Sequence, residues 1–314
     1  MPRQLSSAGR WPDMNAPRSK RVIVDGWLIL DKPVGITSTQ AVSRAKRIFN
    51  AKKAGHAGTL DPLATGILPI AFGEATKTVP FVQDGRKAYR FTVRWGEETD
   101  SDDAEGALVQ TSDERPDVAS IKSIMQQFIG TIMQVPPSFS AIKVNGERAY
   151  DIARDGETVE LAAREITIDS LDLIEASQDS AVFEAHCGKG TYVRAIARDM
   201  GRLLGCYGHV IALRRTRVGP FLIEDAITLN DLEATEANPA DALLSVEAGL
   251  TDLPCVVVDR NGAAQLRRGQ SLILRGRDAP FDGVAYAACG GVPIAFGQVE
   301  GGELNPSRVF NLPF

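Results

Sequence analysis

Cysteine is scarce and scattered: the four in 314 residues stand at 187, 206, 255 and 289, with no C-x-x-C pair. That spacing excludes a zinc finger or ribbon and gives no disulfide framework, so the cytoplasm is the expected compartment. Long apolar runs are missing as well. "GVPIAF" is typical of the longest, far short of the roughly 18 residues a membrane helix needs, so no membrane association is expected. The first twenty residues are basic but lack the apolar stretch of a signal peptide, and residues 1–23 read as a flexible extension. "GKGT" around Lys189 does not have the spacing of a phosphate-binding P-loop. His56 has no second histidine or acid at ligand spacing, so no metal site is expected.

What is present is the composition of an ordinary globular protein, 44% hydrophobic and 24% charged, at a length that suggests one large and one small domain. The net charge of −5 argues against a polyanionic partner until its distribution is read. Residues 1–60 carry eleven Lys or Arg against three Asp, whereas 97–117 hold nine acids and one arginine. Such segregation would let a basic face meet nucleic acid while the whole chain stays acidic.

"GWLILDKPVGITS" reads as a buried strand and a turn, after which Ser38 can cap a helix with Val42, Ala45, Ile48 and Phe49 on its apolar stripe. "KAYRFTVRWG" alternates, with Tyr89, Phe91, Val93 and Trp95 on one side and Arg90, Thr92 and Arg94 on the other: a strand with one face buried. "AVFEAHCGKG" is another strand, and "TYVRAIARDMGRLLG" a helix with Val193, Ile196, Ala197, Met200 and Leu203/Leu204 inward. Strands and helices mix without a regular βαβ rhythm, which predicts an α+β fold with a mixed or antiparallel sheet. Residues 136–166 are polar and poor in core residues and look inserted. From about 251, short apolar runs alternate with glycine turns, the pattern of a small β-rich module.

The stretch "KKAGHAGTLDPLATGILPI" poses the chemical question. Asp61 before Pro62 has the form of a helix N-cap, yet Gly66 and Pro69 leave barely one turn for a helix, and Gly55 and Gly58 would let the backbone approach something closely. Both the capping and the catalytic reading of Asp61 stay open on these residues. Tyr89 reads equally as a core residue or as a ring at the strand's open end, where it could stack on a base. If Thr191 caps its helix, Arg194 sits at the third helical position, where the positive dipole end disfavours a cation and calls for an anion such as Asp61. A phosphate contact would serve too.

Six stretches, "LDKPVGITS" (30–38), "HAGTLDPLATGILPI" (56–70), "KAYRF" (87–91), "TDSDDAEG" (99–106), "CGKGTYVRAIARDMG" (187–201) and "HVIALRRTRVGPF" (209–221), together resemble the bacterial tRNA pseudouridine synthases of the TruB family, from about residue 24 to the end. The resemblance implies a pseudouridine synthase fold over 24–250, a thumb at 136–166 that closes on RNA, and a PUA-like RNA-binding domain over 251–314. It implies conversion of uridine 55 in the TΨC loop of tRNA to pseudouridine. Asp61 is then the catalytic aspartate, Tyr89 stacks on the target base, and Arg194 pairs with Asp61. His56 takes the place of the flipped nucleotide, Tyr192 and Leu213 lie against the bound nucleotide, and Lys32 supports the substrate site by packing. The glycines around Asp61 would bring backbone close to RNA.

That reaction exchanges an N-glycosidic for a C-glycosidic bond with no redox change and no group donor, so no cofactor is expected. Attack on uracil C6, attack on C1′ and elimination to a glycal all remain open. Lys and Arg within 44–53 and 214–217 are the expected phosphate contacts. A guide-RNA-dependent synthase and a non-catalytic tRNA-folding factor are the rivals; the 136–166 insertion and the short C-terminal module favour a stand-alone monomer.

Overall fold

The computed structural model describes residues 20–140, 161–234, 238–274 and 280–313, together with 142–144, 147–148 and 152. Its centre is a mixed sheet. In spatial order the main strands are Ile227–Thr228, Gly26–Lys32, Thr65–Phe72, Gly208–Val218, Lys87–Trp95, Ser180–Cys187, Arg164–Ala176 and Gly130–Gln134. Thr65–Phe72 and Gly208–Val218 run parallel, as do Gly26–Lys32 and Ile227–Thr228, and the other neighbours are antiparallel.

The first strand shows why the sheet lies in the middle of the molecule. Trp27, Leu28, Ile29 and Leu30 are all buried, and successive side chains leave opposite faces of a strand. Leu28 and Leu30 join the core beneath helices Ser38–Ile48 and Val193–Leu203, whereas Trp27 and Ile29 join a second core on the other face. The alternation expected for Lys87–Trp95 is present too: Phe91, Val93 and Trp95 are buried, Arg90 and Arg94 exposed. Along Val193–Leu203 the inward residues are Val193, Ile196, Ala197 and Met200, but Leu203 is exposed.

The C-terminal residues form a separate five-stranded sheet, in the order Cys255–Val257, Gly283–Cys289, Val292–Glu300, Glu303–Val309 and Leu272–Ile273. A helix, Arg260–Arg267, covers it, started by the Asp259 carboxylate, which accepts from Gly262 N at 2.8 Å. The β-rich expectation had no place for that helix. This module also shares a core with the central sheet: Phe296 packs edge-on to Phe81 at 4.9 Å and Tyr286 donates to Glu247 at 2.7 Å. A boundary drawn at 251 therefore cuts through packed side chains.

Two local expectations change. Thr37, not Ser38, caps the first helix, in a capping box with Gln40. Residues 164–166 lie in the sheet, pairing with 132–134, so the insertion leaves and re-enters between two adjacent strands. Most of 141–160 lies outside the described residues.

Candidate active site

Asp61 starts no helix. After it, Ala64 N bonds back to Asp61 O at 3.1 Å and the chain enters the strand Thr65–Phe72, so the capping reading has no helix to cap. The loop is fastened from below by groups of the first strand and helix. Ser38 Oγ accepts from Leu60 N at 2.8 Å and donates to Leu60 O at 3.0 Å. Lys32 donates to Pro33 O, Ile36 O and Pro62 O at 2.9, 2.8 and 3.4 Å. Lys32 is 0% exposed and cannot touch substrate; it ties two turns together. Burial lowers its pKa to about 8, against the opposing charge of Asp61.

Gly58 and Gly66, which flank Asp61, have a partner inside the protein, whereas Gly55 has nothing within 4 Å. Gly66 has φ +95°, and a Cβ there would stand 2.2 Å from Arg215 O. Gly58, at φ +101°, offers its carbonyl to Arg215 Nη2 at 3.1 Å. Arg215 also donates to Thr59 O at 3.2 Å and to Ile67 O at 2.8 Å. Sequence reasoning placed Arg215 among phosphate contacts, but it is 2% exposed. The signal was available: two residues after the buried Leu213, the strand's alternation turns Arg215 inward.

Arg194 supplies the cation. Tyr192, not Thr191, is the helix N-cap and makes no side-chain cap bond, so Arg194 is the second helical residue. The Gln134 side chain takes over the cap, accepting from Tyr192 N at 2.9 Å and donating to Tyr192 O at 3.2 Å. Arg194 Nε lies 3.1 Å from Asp61 Oδ2 and Nη1 lies 3.4 Å from Asp103 Oδ2. The guanidinium also donates to Ser101 O at 2.8 Å and Phe139 O at 2.9 Å. The anion that a first-turn arginine calls for is thus a pair of carboxylates.

The same helix face repeats the device every four residues. Arg198 meets Asp102 at 2.9 Å, and Arg202 meets Glu98 at 2.7 Å. The acid-rich stretch 97–117 therefore includes three buried acids, Glu98, Asp102 and Asp103, drawn against one column of arginines. Nothing in the one-dimensional charge run marks those three as buried.

Asp61, Tyr89, Tyr192, Arg194 and Leu213 line one cleft of about 770 Å³. Burial pushes the Asp61 carboxyl up from its ordinary value; Arg194 opposes this and Asp103 adds to it. Tyr89 is half-buried at the open end of its row, its hydroxyl pushed up by burial and pulled down by Arg215. That makes it a poorer acid. His56 is outside the cleft lining, and burial followed by the Arg215 charge lowers its pKa, which keeps it neutral. Among the described residues no three His, Cys, Asp or Glu side chains are grouped as a metal site would require, and no helix is long and apolar enough to cross a membrane.

Residues 46–193 match the TruB family pseudouridylate synthase N-terminal domain, and 194–251 the tRNA pseudouridylate synthase B C-terminal domain. The chain belongs to the TruB family. A tRNA pseudouridine synthase B of Rhodopseudomonas palustris is 58% identical over 98% of this chain and 86% of its own length, and one of Rhizobium meliloti is 54% identical over 95% and 99%. The fold also matches a solved Cbf5–Nop10–Gar1 complex, with TM-score 0.71 and 26% identity over 97% of this chain and 91% of that one. The chain is a pseudouridine synthase, an isomerase with the family's fold.

Proposed function

We propose that this chain converts uridine 55 of tRNA to pseudouridine as a stand-alone cytoplasmic monomer, with no guide RNA and no cofactor, using Asp61 as its catalytic carboxylate. The observation that carries this is the Asp61–Arg194 pair at 3.1 Å on the wall of a cleft that Tyr89, Tyr192 and Leu213 also line. A uracil must be detached, turned and rejoined through C5, which stacked geometry forbids. The base is therefore flipped out, at a cost of a few kcal/mol, and received between Tyr89, Tyr192 and Leu213. Arg194 opposes the effect of burial on the carboxylate and aims it, ready to act as nucleophile or base when ionised. His56, neutral and beside the cleft, fills the space the nucleotide leaves. The C-terminal module over 251–314 and the 136–166 segment extend the RNA contact.

Guide independence rests on relatives named tRNA pseudouridine synthase B at 58% and 54% identity, against 26% for the Cbf5 of a multiprotein complex. The test is to incubate the purified chain with an unmodified tRNA transcript and assay pseudouridine. Formation at position 55 without other components supports the reading. A need for a guide RNA or protein partners would move the chain to the Cbf5-like mode, and tRNA binding without product would make it a folding factor.

A further inference from the structure

The largest buried cation beside the cleft is neither a phosphate contact nor the partner of a carboxylate. Arg215 lies on the strand Gly208–Val218, in register with Tyr89 on one neighbouring strand and with Gly66 on the other. Its guanidinium donates to the backbone carbonyls of Gly58, Thr59 and Ile67, which bracket the Asp61 loop. No carboxylate forms an ion pair with it among the described residues. A buried cation is ordinarily paired, because taking a bare charge from water is costly. One glycine is shaped to it: a Cβ on Gly66 would stand 2.2 Å from the Arg215 carbonyl oxygen. Three strands and a loop thus converge on one side chain that lines the cleft wall and is only 2% exposed.

We propose that Arg215 is a positioning residue for the reaction: its guanidinium fixes the Gly58–Asp61 loop against the Tyr89 strand and supplies a second cation, paired with no carboxylate, against that loop. Arg194 alone is shared, since Asp103 takes part of its charge. Arg215 adds positive charge that no other carboxylate consumes. The groups facing Asp61 are Arg194 from the helix, Asp103 and Glu105 from the acidic turn, and Lys32 from the first strand. The hydroxyls of Tyr89 and Tyr192 face it as well, and both are uncharged. Arg215 lines the same cleft as Arg194 and differs from it in having no carboxylate paired with it among the described residues.

The inference rests on Asp61 being the catalytic carboxylate, so Asp61→Asn is measured beside it. Arg215→Lys keeps the charge without the planar fork, and Arg215→Met removes both. With an unmodified tRNA transcript, the single-turnover rate at saturating RNA is expected to fall about 100-fold in Arg215→Met, the effect of an ångström-scale misplacement, while RNA affinity changes less than about threefold. The acidic limb of the pH–rate profile moves to higher pH in Arg215→Met and stays in place in Arg215→Lys, because only the former strips a cation from beside the carboxylate. An unmoved limb in Arg215→Met, or rate losses in both variants that merely follow the folded fraction or RNA affinity, overturns the proposal. So does failure of both variants to fold, which would make Arg215 a core support only. An active Asp61→Asn overturns the Asp61 reading itself; an inactive one with an unmoved limb in Arg215→Met overturns Arg215 alone.

Discussion

A Cβ on Gly66 would stand 2.2 Å from the carbonyl oxygen of Arg215, closer than any real side-chain contact. Gly66 also has φ +95°, a backbone region that side chains avoid. Gly66→Ala is therefore expected to cost at least ~3 kcal/mol of stability. Gly55→Ala, where nothing lies within 4 Å of the added carbon, is expected to cost less than ~1 kcal/mol. Urea unfolding of both variants checks the contrast, and equal costs would contradict it.

That pair of residues also shows how far the chain could be read without coordinates. The strands Gly26–Lys32 and Lys87–Trp95, the helix around Arg194 and the cleft residues were legible because local periodicity and the motif string carry them. The partner of the glycines was not, since Gly66 and Arg215 meet across a parallel strand pair, 149 positions apart, and no local pattern encodes that register. The same holds for Glu98, Asp102 and Asp103. They look like solvated charge in a run of acids, and only the helix laid against them, with arginines at 194, 198 and 202, makes them buried partners. The capping reading of Asp61 fell only when the structure showed a strand, not a helix, following it.

Arg194→Lys is expected to slow single-turnover isomerisation by at least ~100-fold, because one ammonium cannot reach Asp61, Asp103, Ser101 O and Phe139 O together. Stability should fall by about 1–3 kcal/mol as buried acceptors lose their donor. Rapid-quench rates and thermal melts of the variant decide this; a near-normal rate would leave Arg194 a structural tie.

Lys32 gives a pH-dependent stability with a defined sign. Burial holds its folded-state pKa near 8, below the 10.5 of the unfolded chain, so the folded protein releases this proton first. Between about pH 8 and 10.5 the unfolded chain binds more protons, and stability from this group rises with pH; below about 8 the full cost of burying the charge is present. Subtracting the urea-unfolding profile of Lys32→Met from that of the parent should leave a difference that rises through this window. A flat or falling difference would contradict the burial argument.

Arg44, Arg47, Lys52 and Lys53 are exposed and are the expected phosphate contacts, whereas Arg214 is held by Asp31 at 3.0 and 2.7 Å. Replacing Lys52 and Lys53 by Gln should weaken tRNA binding and make the dependence of log affinity on log salt shallower by about 0.7–0.9 for each phosphate no longer neutralised. Arg214→Gln should leave that slope unchanged. Filter binding between low and moderate salt compares them, and a slope altered by Arg214→Gln but not by the lysines would reverse the assignment.

Asp61 as the catalyst is tested most directly by the single-turnover rate of Asp61→Asn on an unmodified tRNA transcript. Asparagine keeps the size of the side chain and removes the charge that pairs with Arg194 at 3.1 Å. The variant is expected to fold, bind tRNA and form no pseudouridine over hours. A rate within about tenfold of the parent, a barrier change of only ~1.4 kcal/mol, would show that Asp61 is not the catalyst.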